Sequence, residues 1–377
     1  MFSLPAAQLP ENKKLAGPDH LRALAIILVM LYHYRLFEHP EWLDVFGKFG
    51  WTGVDLFFVL SGYLIASQLF LEMAGGKGVQ LRSFYLRRFF RIVPAYLVVV
   101  VIYFFIPSFR EREALPPLWR LLTFTQNMGL DLGHHGTFSH AWSLCIEEQF
   151  YLLLPLVLIT LTFFKIRKYG GILLLLLFVL GFAARIYSWR HFVTPALGKD
   201  DFVLIWYKWI YYPTWNRLDG LLTGISIAAL FRFYPQMATR ISAYGNVFFS
   251  VGIAILIGAY CLCIDEHTFV ASIFGFPVVA AGYGAICVAA ISPSCFLYRY
   301  RSAVTANTAI LSFSVYLIHK GIIHLTQQYV VRFGVPADGN LMFIVCMANV
   351  AIAALLLRLF IERPFLKLRK RLSRPAQ

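Results

Sequence analysis

Long apolar runs alternate with short polar segments along the whole chain of 377 residues. The runs have the length of roughly 18–24 residues that a helix needs to cross the hydrocarbon core of a bilayer. This pattern predicts an all-α, polytopic membrane bundle of about ten transmembrane helices. We place the spans at 21–38, 51–72, 88–107, 144–164, 171–188, 210–231, 246–264, 269–291, 307–331 and 340–361. An approach along the membrane interface is the alternative at the start of the sixth span, because 203–217 is aromatic.

The composition excludes most other classes of protein. The chain is 59% hydrophobic and only 14% charged, whereas a soluble domain averages about 45–50% apolar and about 25% charged residues. A soluble enzyme, a disordered protein and a disulfide scaffold are therefore excluded. Because no internal repeat and no Pro/Gly/Ser-rich linker divides the chain, we treat 1–377 as one membrane domain with short tails at 1–18 and 362–377.

The net charge of +15 would by itself suit a nucleic-acid ligand. Lys and Arg, however, stand at the ends of the apolar runs, where they act as topology signals. Their distribution predicts that both termini are cytoplasmic, and we expect membrane lipid, not nucleic acid, as a partner.

The six cysteines lie in or beside apolar segments, and none has metal-ligand spacing with histidine. We therefore expect buried free thiols and no metal site. The residues are Cys145, Cys261, Cys263, Cys287, Cys295 and Cys346.

The first predicted span carries ionisable residues, which are costly inside a membrane and are functional candidates by default. Arg22 and His33 are eleven residues apart. In a helix they share one face within ~20° and are ~16–17 Å apart along the axis. An interhelical hydrogen bond is the alternative role for His33, and Asp19 before the apolar run is a plausible N-cap.

A cluster of basic residues opens the third span. Arg88 and Arg91 are three residues apart, so they lie on one helix face and can bind the same anion. Ordinary positive-inside flanking is the alternative. Asp19 is the only acidic residue near this cluster or Arg22 in the sequence, which favours a polyanionic ligand.

Two adjacent carboxylates begin the fourth span. Glu147 shares its helix face with Ser143 and Tyr151, whereas Glu148 shares its face with leucines. Glu147 is therefore the better candidate to face a cavity. A solvated helix end, with acidic residues favoured near the helix N-terminus, is the alternative.

The start of the second span combines a carboxylate with small residues. Ser61 and Gly62 are suited to close helix packing, and packing is the better interpretation of the glycines. Asp55 lies about one turn into the helix, and its role stays open.

These segments together resemble the acyltransferase 3 family of integral-membrane acyltransferases, in its stand-alone form. Two departures are His20, where the family usually has Gly, and Cys145, where a small hydroxyl residue is common. The resemblance extends over residues 19–364 in the stretches 19–22 with His33, 53–62, 88–94, 142–151, 217–220, 314–319 and 362–364.

The resemblance implies a bacterial inner-membrane enzyme that moves an acyl group, commonly acetyl, from cytoplasmic acyl-CoA to a hydroxyl of a carbohydrate or glycolipid. Acetyl-CoA is then a co-substrate, and no cofactor is bound permanently. The family pattern places Arg22 with His33, and Arg88 with Arg91, in the functional set.

The predicted geometry suits that chemistry. Arg22, Arg88 and Arg91 match the phosphates of CoA, and the extended pantetheine arm is comparable in reach to the Arg22–His33 rise. His33 can then act as the base or be acylated itself, with Glu147 as the second catalytic residue, which orients the imidazole or binds the acceptor. We assign acceptor-binding or supporting roles to Asp55, Trp142, Ser143 and Tyr151.

Two other functions compete with an acyltransferase. A secondary transporter of a small anionic solute would also have many spans and buried charges, but the halves of the chain show no repeat symmetry and no paired Gly/Pro-broken helices. A non-catalytic scaffold or sensor would leave His33 and the arginine cluster without a purpose.

The first prediction concerns topology. We expect Lys77, Lys165 and Arg299 in the cytoplasm and Lys199 and Asp265 on the opposite side, because of the positive-inside rule. In a variant without native cysteines, a Lys199→Cys thiol should react with an impermeant maleimide from outside, and Lys165→Cys should not. Labelling of Lys199→Cys from the cytoplasmic side alone would contradict the topology.

Overall fold

The computed structural model describes residues 16–76 and 78–372. The regular secondary structure of these ranges is helical, as predicted, and short 3-10 and π-helical turns join the main helices. The main helices are α1 (Ala16–Tyr34), α2 (Gly53–Ala74), α3 (Leu81–Phe105), α4 (Trp142–Phe163), α5 (Gly170–Ser188), α6 (Asp219–Phe233), α7 (Gly245–Leu262), α8 (Phe276–Ile291), α9 (Ala303–Val330), α10 (Asn340–Leu357) and α11 (Arg363–Leu372). Lys77, residues 1–15 of the first predicted tail and residues 373–377 of the second lie outside the described residues.

Among the described residues, eight helical stretches are long and apolar enough to cross a membrane. The protein is therefore an all-α, multi-pass membrane protein. The other two predicted spans correspond to α1, whose first turns are polar, and to α6, which has only 15 residues. The eight stretches are Trp42–Ala74, Leu81–Phe105, Ser139–Phe163, Gly170–Ala196, Gly245–Leu262, Ala271–Ile291, Ala303–Phe333 and Asn340–Leu372.

The predicted span 210–231 is wrong in its first half, because the chain breaks before α6. Pro213 is extended, with φ −63° and ψ 134°, and proline cannot donate the backbone hydrogen bond that would continue a helix. The side-chain amide of Asn216 instead donates to the carbonyls of Trp209 and Ile210 at 2.7 and 3.3 Å. Hydrophobicity alone did not reveal this break.

Helices α2 and α6 pack with their backbones in direct contact. A Cβ atom on Gly62 would lie 2.2 Å from the carbonyl oxygen of Leu221, and one on Gly224 would lie 2.2 Å from that of Val59. The two backbones therefore touch without intervening side chains, as small residues permit in membrane helices. This contact confirms the packing role predicted for Gly62.

Buried ion pairs join α2, α5 and α6. Arg217 donates to both oxygens of Asp55 at 2.9 and 3.0 Å, and Arg185 donates to Asp219 at 2.7 Å. The Arg217 guanidinium also lies 3.9 Å from the centre of the Phe276 ring. Asp55 is thus part of the structural framework, which suits the supporting role of the two that the sequence analysis gave it.

The thiols differ from expectation at one position. Five of the six cysteines are buried, but Cys261, near the end of α7, is exposed. All six are free cysteines.

The second prediction tests the α2–α6 contact. Gly62→Ala should destabilise the protein by about 1–3 kcal/mol, because the added methyl group forces two backbones apart. Gly258→Ala on α7 is the matched control, since a Cβ there meets nothing within 4 Å and alanine favours helix. Thermal unfolding in detergent measures both. Equal melting temperatures for the two variants would contradict the packing role.

Candidate active site

The first candidate site is a cavity of about 420 Å³ between α1, α2, α3, α4, α9 and α11. We call it the arginine cavity, because it is lined by Arg22, Arg88, Arg91 and Arg369. The structure therefore brings together the three arginines that the sequence analysis selected. It adds Arg369, which the sequence analysis had counted only as a topology signal. Other polar residues of its lining are Ser61, Gln68, Arg87, Ser143, Glu147, Tyr151, Ser312 and Tyr316.

The arginines differ in how their charge is compensated. Arg22 pairs with Asp19 at 3.2 Å, and Arg87 pairs with Glu72 at 2.6 Å. Arg88 hydrogen bonds the neutral side chain of Gln68, and no salt bridge within the described residues holds Arg88 or Arg91. A surplus of positive charge thus faces the cavity, and such a surplus attracts anions.

Two details of the predicted arginine cluster need correction. Helix α1 begins at Ala16, so Asp19 lies within its first turn and pairs with Arg22 rather than capping the helix. Asp19 is also not the only acid nearby, because Glu72 at the end of α2 reaches the start of α3.

A hydrogen-bonded group of polar side chains forms another part of the lining, beside Arg88, whose guanidinium lies 5.6 Å from the centre of the Tyr151 ring. The Tyr151 hydroxyl donates to the Glu147 carboxylate at 2.7 Å, and Ser61 donates to the same carboxylate at 3.2 Å. Glu147 lines the cavity and Glu148 does not, as the helical register predicts. Ser61 had been assigned to packing alone.

A second, smaller cavity of about 100 Å³ lies beyond the first. We call it the histidine cavity, because His33 and His140 line it together with Lys320 and Trp142. Trp142 therefore lines the same cavity as His33, and its acceptor-binding or supporting role stays a prediction. Much of the remaining lining is aromatic or basic: Tyr32, Trp51, Arg112, Tyr207, Tyr211 and Tyr212.

His33 contacts two other histidines. Its Nδ1 lies 2.9 Å from Nε2 of His319 on α9, and its ring centre is 5.9 Å from that of His140. All three side chains are buried. The sequence analysis gave His319 and His140 no role, because nothing in the sequence links residues 286 positions apart.

Glu147 does not support His33, which corrects the predicted pairing. The carboxylate of Glu147 bonds Ser61 and Tyr151 in the arginine cavity, whereas His33 bonds His319 in the other cavity. The reason is position along α4. Trp142 lies at the level of His33, and Glu147 is five residues further on, about 7.5 Å away along the axis.

A buried ion pair borders the histidine cavity. Lys320 lies 2.9 Å from Glu111, in the segment between α3 and α4. Burial alone would raise the pKa of Glu111, but the ammonium group of Lys320 and the hydrogen bonds to the carboxylate lower it below its usual range. Glu111 also accepts from the backbone N–H of Phe138, which has a left-handed φ of 58°. This pair holds the 106–138 segment against α9.

The two cavities meet at one hydrogen-bonded contact. The Tyr316 hydroxyl donates to the backbone carbonyl of His140, and the Ser143 hydroxyl lies 2.7 Å from the same Tyr316 oxygen. Ser143 and Tyr316 line the arginine cavity, whereas Trp142 and His140 line the histidine cavity. Arg22 and His33, both on α1, reach the two cavities from one helix.

Comparisons with known proteins identify the family of this chain. The profile of the acyltransferase 3 family, described as "Acyltransferase domain", matches residues 15–359. The peptidoglycan O-acetyltransferase OatA of Listeria monocytogenes is 30% identical over 333 residues, which are 84% of this chain and 50% of the relative. The O-acetyltransferase OatA of Staphylococcus aureus strain NCTC 8325 is 29% identical over 372 residues, 94% of this chain and 57% of the relative.

The chain thus spans about half the length of the curated relatives it matches. No solved structure matches it. The family profile nevertheless extends over nearly all of the helical bundle, including the whole lining of the histidine cavity and the lining of the arginine cavity except Arg369. This chain therefore belongs to the acyltransferase 3 family, as a multi-pass membrane protein.

Proposed function

We propose that the protein is a membrane-bound O-acyltransferase that moves an acyl group, acetyl in the simplest case, from acyl-CoA to a hydroxyl of a glycan. One observation carries this proposal. Arg22 in the arginine cavity and His33 in the histidine cavity stand on one helix, so a phosphate-binding site and a potential base are held at a set separation. The relatives named O-acetyltransferase support the acetyl group and the glycan acceptor.

The arginine cavity suits the nucleotide end of CoA. Its 3′-phosphate and pyrophosphate carry several negative charges, and guanidinium groups bind phosphate oxygens through paired N–H donors. Arg88 and Arg91 have no salt bridge to give up among the described residues. In the predicted topology this cavity opens to the cytoplasm, where acyl-CoA is made.

The histidine cavity suits the reacting groups. The acceptor oxygen attacks the thioester carbon while His33 takes the hydroxyl proton; a C–O bond forms, the C–S bond breaks, and the proton passes to the CoA thiolate. In the two-step route a nitrogen of His33 attacks the thioester carbon, so that a C–N bond forms and the C–S bond breaks with loss of the thiolate. The acceptor oxygen then attacks the acyl carbon, a C–O bond forms, the C–N bond breaks, and the hydroxyl proton passes to the CoA thiolate. Both routes use a ring nitrogen of His33 that carries a lone pair.

The aromatic lining suits a carbohydrate acceptor, because sugar rings pack on apolar ring faces while their hydroxyls bond polar groups. Tyr207, Tyr211 and Trp142 offer such faces beside His33. To enter the histidine cavity, the acyl group has to pass the Ser143–Tyr316 contact. The bound pantetheine arm therefore has to break this hydrogen bond.

The third prediction tests the phosphate site. The Arg88→Ala, Arg91→Ala double variant should bind acetyl-CoA about 10- to 100-fold more weakly per removed arginine, since a charged hydrogen bond contributes about 1.5–3 kcal/mol. Arg91→Lys should rescue only partly, because lysine lacks the paired donors. Calorimetric titration of protein in nanodiscs measures the affinity.

Arg82→Ala is the control for this experiment, because Arg82 is exposed on the same helix and does not line the cavity. Its acetyl-CoA affinity should match that of the wild type. An unchanged affinity in the double variant would remove the arginine cavity from CoA binding.

The fourth prediction tests the base. His33→Gln should lower transfer of labelled acetyl from acetyl-CoA to solubilised peptidoglycan fragments by at least ~100-fold, because the amide accepts no proton at neutral pH. Acetyl-CoA binding should stay within about twofold, because the phosphate site lies ~16 Å away along α1. His191→Gln, at an exposed position, should keep the transfer rate. Near-normal transfer by His33→Gln would overturn the mechanism.

A further inference from the structure

We propose that His319 is a positioning residue that holds His33 as the Nδ1–H tautomer, so that Nε2 of His33 is the nitrogen that reacts. This inference rests on the proposed function, because it assigns the lone pair that both transfer routes need. It concerns a residue of α9 to which the sequence analysis gave no role.

The first step assigns the proton on His319. Its Nδ1 lies 2.9 Å from the backbone carbonyl of Tyr316 and 3.1 Å from that of Val315. A carbonyl oxygen only accepts hydrogen bonds, so Nδ1 of His319 carries the proton and donates it. In the neutral ring, Nε2 of His319 then has a free lone pair and can only accept.

The second step assigns the proton on His33 from that on His319. The Nε2 atom of His319 lies 2.9 Å from Nδ1 of His33, a hydrogen-bonding distance. Because Nε2 of His319 accepts, Nδ1 of His33 has to donate. Neutral His33 therefore carries its proton on Nδ1 and keeps the lone pair on Nε2.

The charges around the pair keep His319 neutral. The next residue, Lys320, holds a buried ammonium group paired with Glu111 at 2.9 Å. A second proton on His319 would place two cations side by side in the protein interior, which is unfavourable. The third histidine, His140, contacts both rings and directs its Nε2 to the carbonyl of Leu317 at 3.3 Å, so it leaves the His33–His319 bond intact.

The hydrogen bond to His319 determines which ring nitrogen of His33 is available to react. Nδ1 and Nε2 lie on different sides of the imidazole ring, and Nδ1 of His33 is turned to α9. The nitrogen left for chemistry is Nε2, on a side chain that lines the histidine cavity. A fixed tautomer of this kind is how a second residue makes a histidine an effective base without touching the substrate.

The experiment first reads the tautomer directly. Protein labelled with ¹⁵N-histidine in nanodiscs gives different nitrogen shifts for the two tautomers, and the signal missing from His33→Gln identifies His33. We expect the Nδ1–H form in the wild type and in His319→Gln, whose amide oxygen can accept the same bond. In His319→Phe, which keeps a ring but no acceptor, we expect a mixture of forms or the Nε2–H form.

Activity then separates positioning from structure. His319→Phe should lose at least ~100-fold in acetyl transfer to peptidoglycan fragments at unchanged acetyl-CoA affinity. His319→Gln should recover a large part of the transfer rate. His324→Phe, further along the same helix and outside the cavity lining, is the control and should transfer normally.

The outcomes are distinct. An Nε2–H tautomer of His33 in the wild type would overturn the proposal, and so would a His319→Phe variant that keeps the Nδ1–H form, whatever its transfer rate. Failure of wild-type protein to transfer acetyl from acetyl-CoA would instead refute the proposed function, while the nitrogen shifts would still decide whether His319 sets the tautomer.

Discussion

The need to compensate every charge inside an apolar bundle shapes this structure more than any other constraint. A buried charge without a partner costs several kcal/mol. The pairs Asp55–Arg217, Asp219–Arg185 and Lys320–Glu111 meet this requirement. Each joins segments that are distant in the chain, so the pairs also set how α2, α5, α6 and α9 lie against one another.

The same constraint separates framework from site. Arg217 and Arg185 are fully buried and paired, and they take no part in either cavity lining. Arg88 and Arg91 line the arginine cavity without a salt bridge among the described residues. A buried arginine that is paired with a carboxylate thus has a structural role. A cavity lined by arginines with a surplus of positive charge is instead suited to bind an anionic ligand.

Helical register allowed several parts of the site to be predicted. Side chains three or four residues apart share a helix face, so Glu147 was expected beside Ser143 and Tyr151, and all three line one cavity. Register within one helix, however, does not determine the position of that helix along its axis relative to the neighbouring helices. The predicted Glu147–His33 pairing failed for this reason, and the break at Pro213 escaped an argument based on hydrophobicity.

The sequence by itself determined the membrane class, the helical architecture, the family and three arginines of the first cavity, Arg22, Arg88 and Arg91, because these follow from apolar run length, local spacing and motifs. Tertiary structure alone decided that Asp55 belongs to an ion pair, that Arg369 joins the arginine cavity, and that His319 meets His33. These contacts depend on how helices that are remote in sequence are positioned against each other along their axes. Backbone contacts such as that at Gly62 set this relative position.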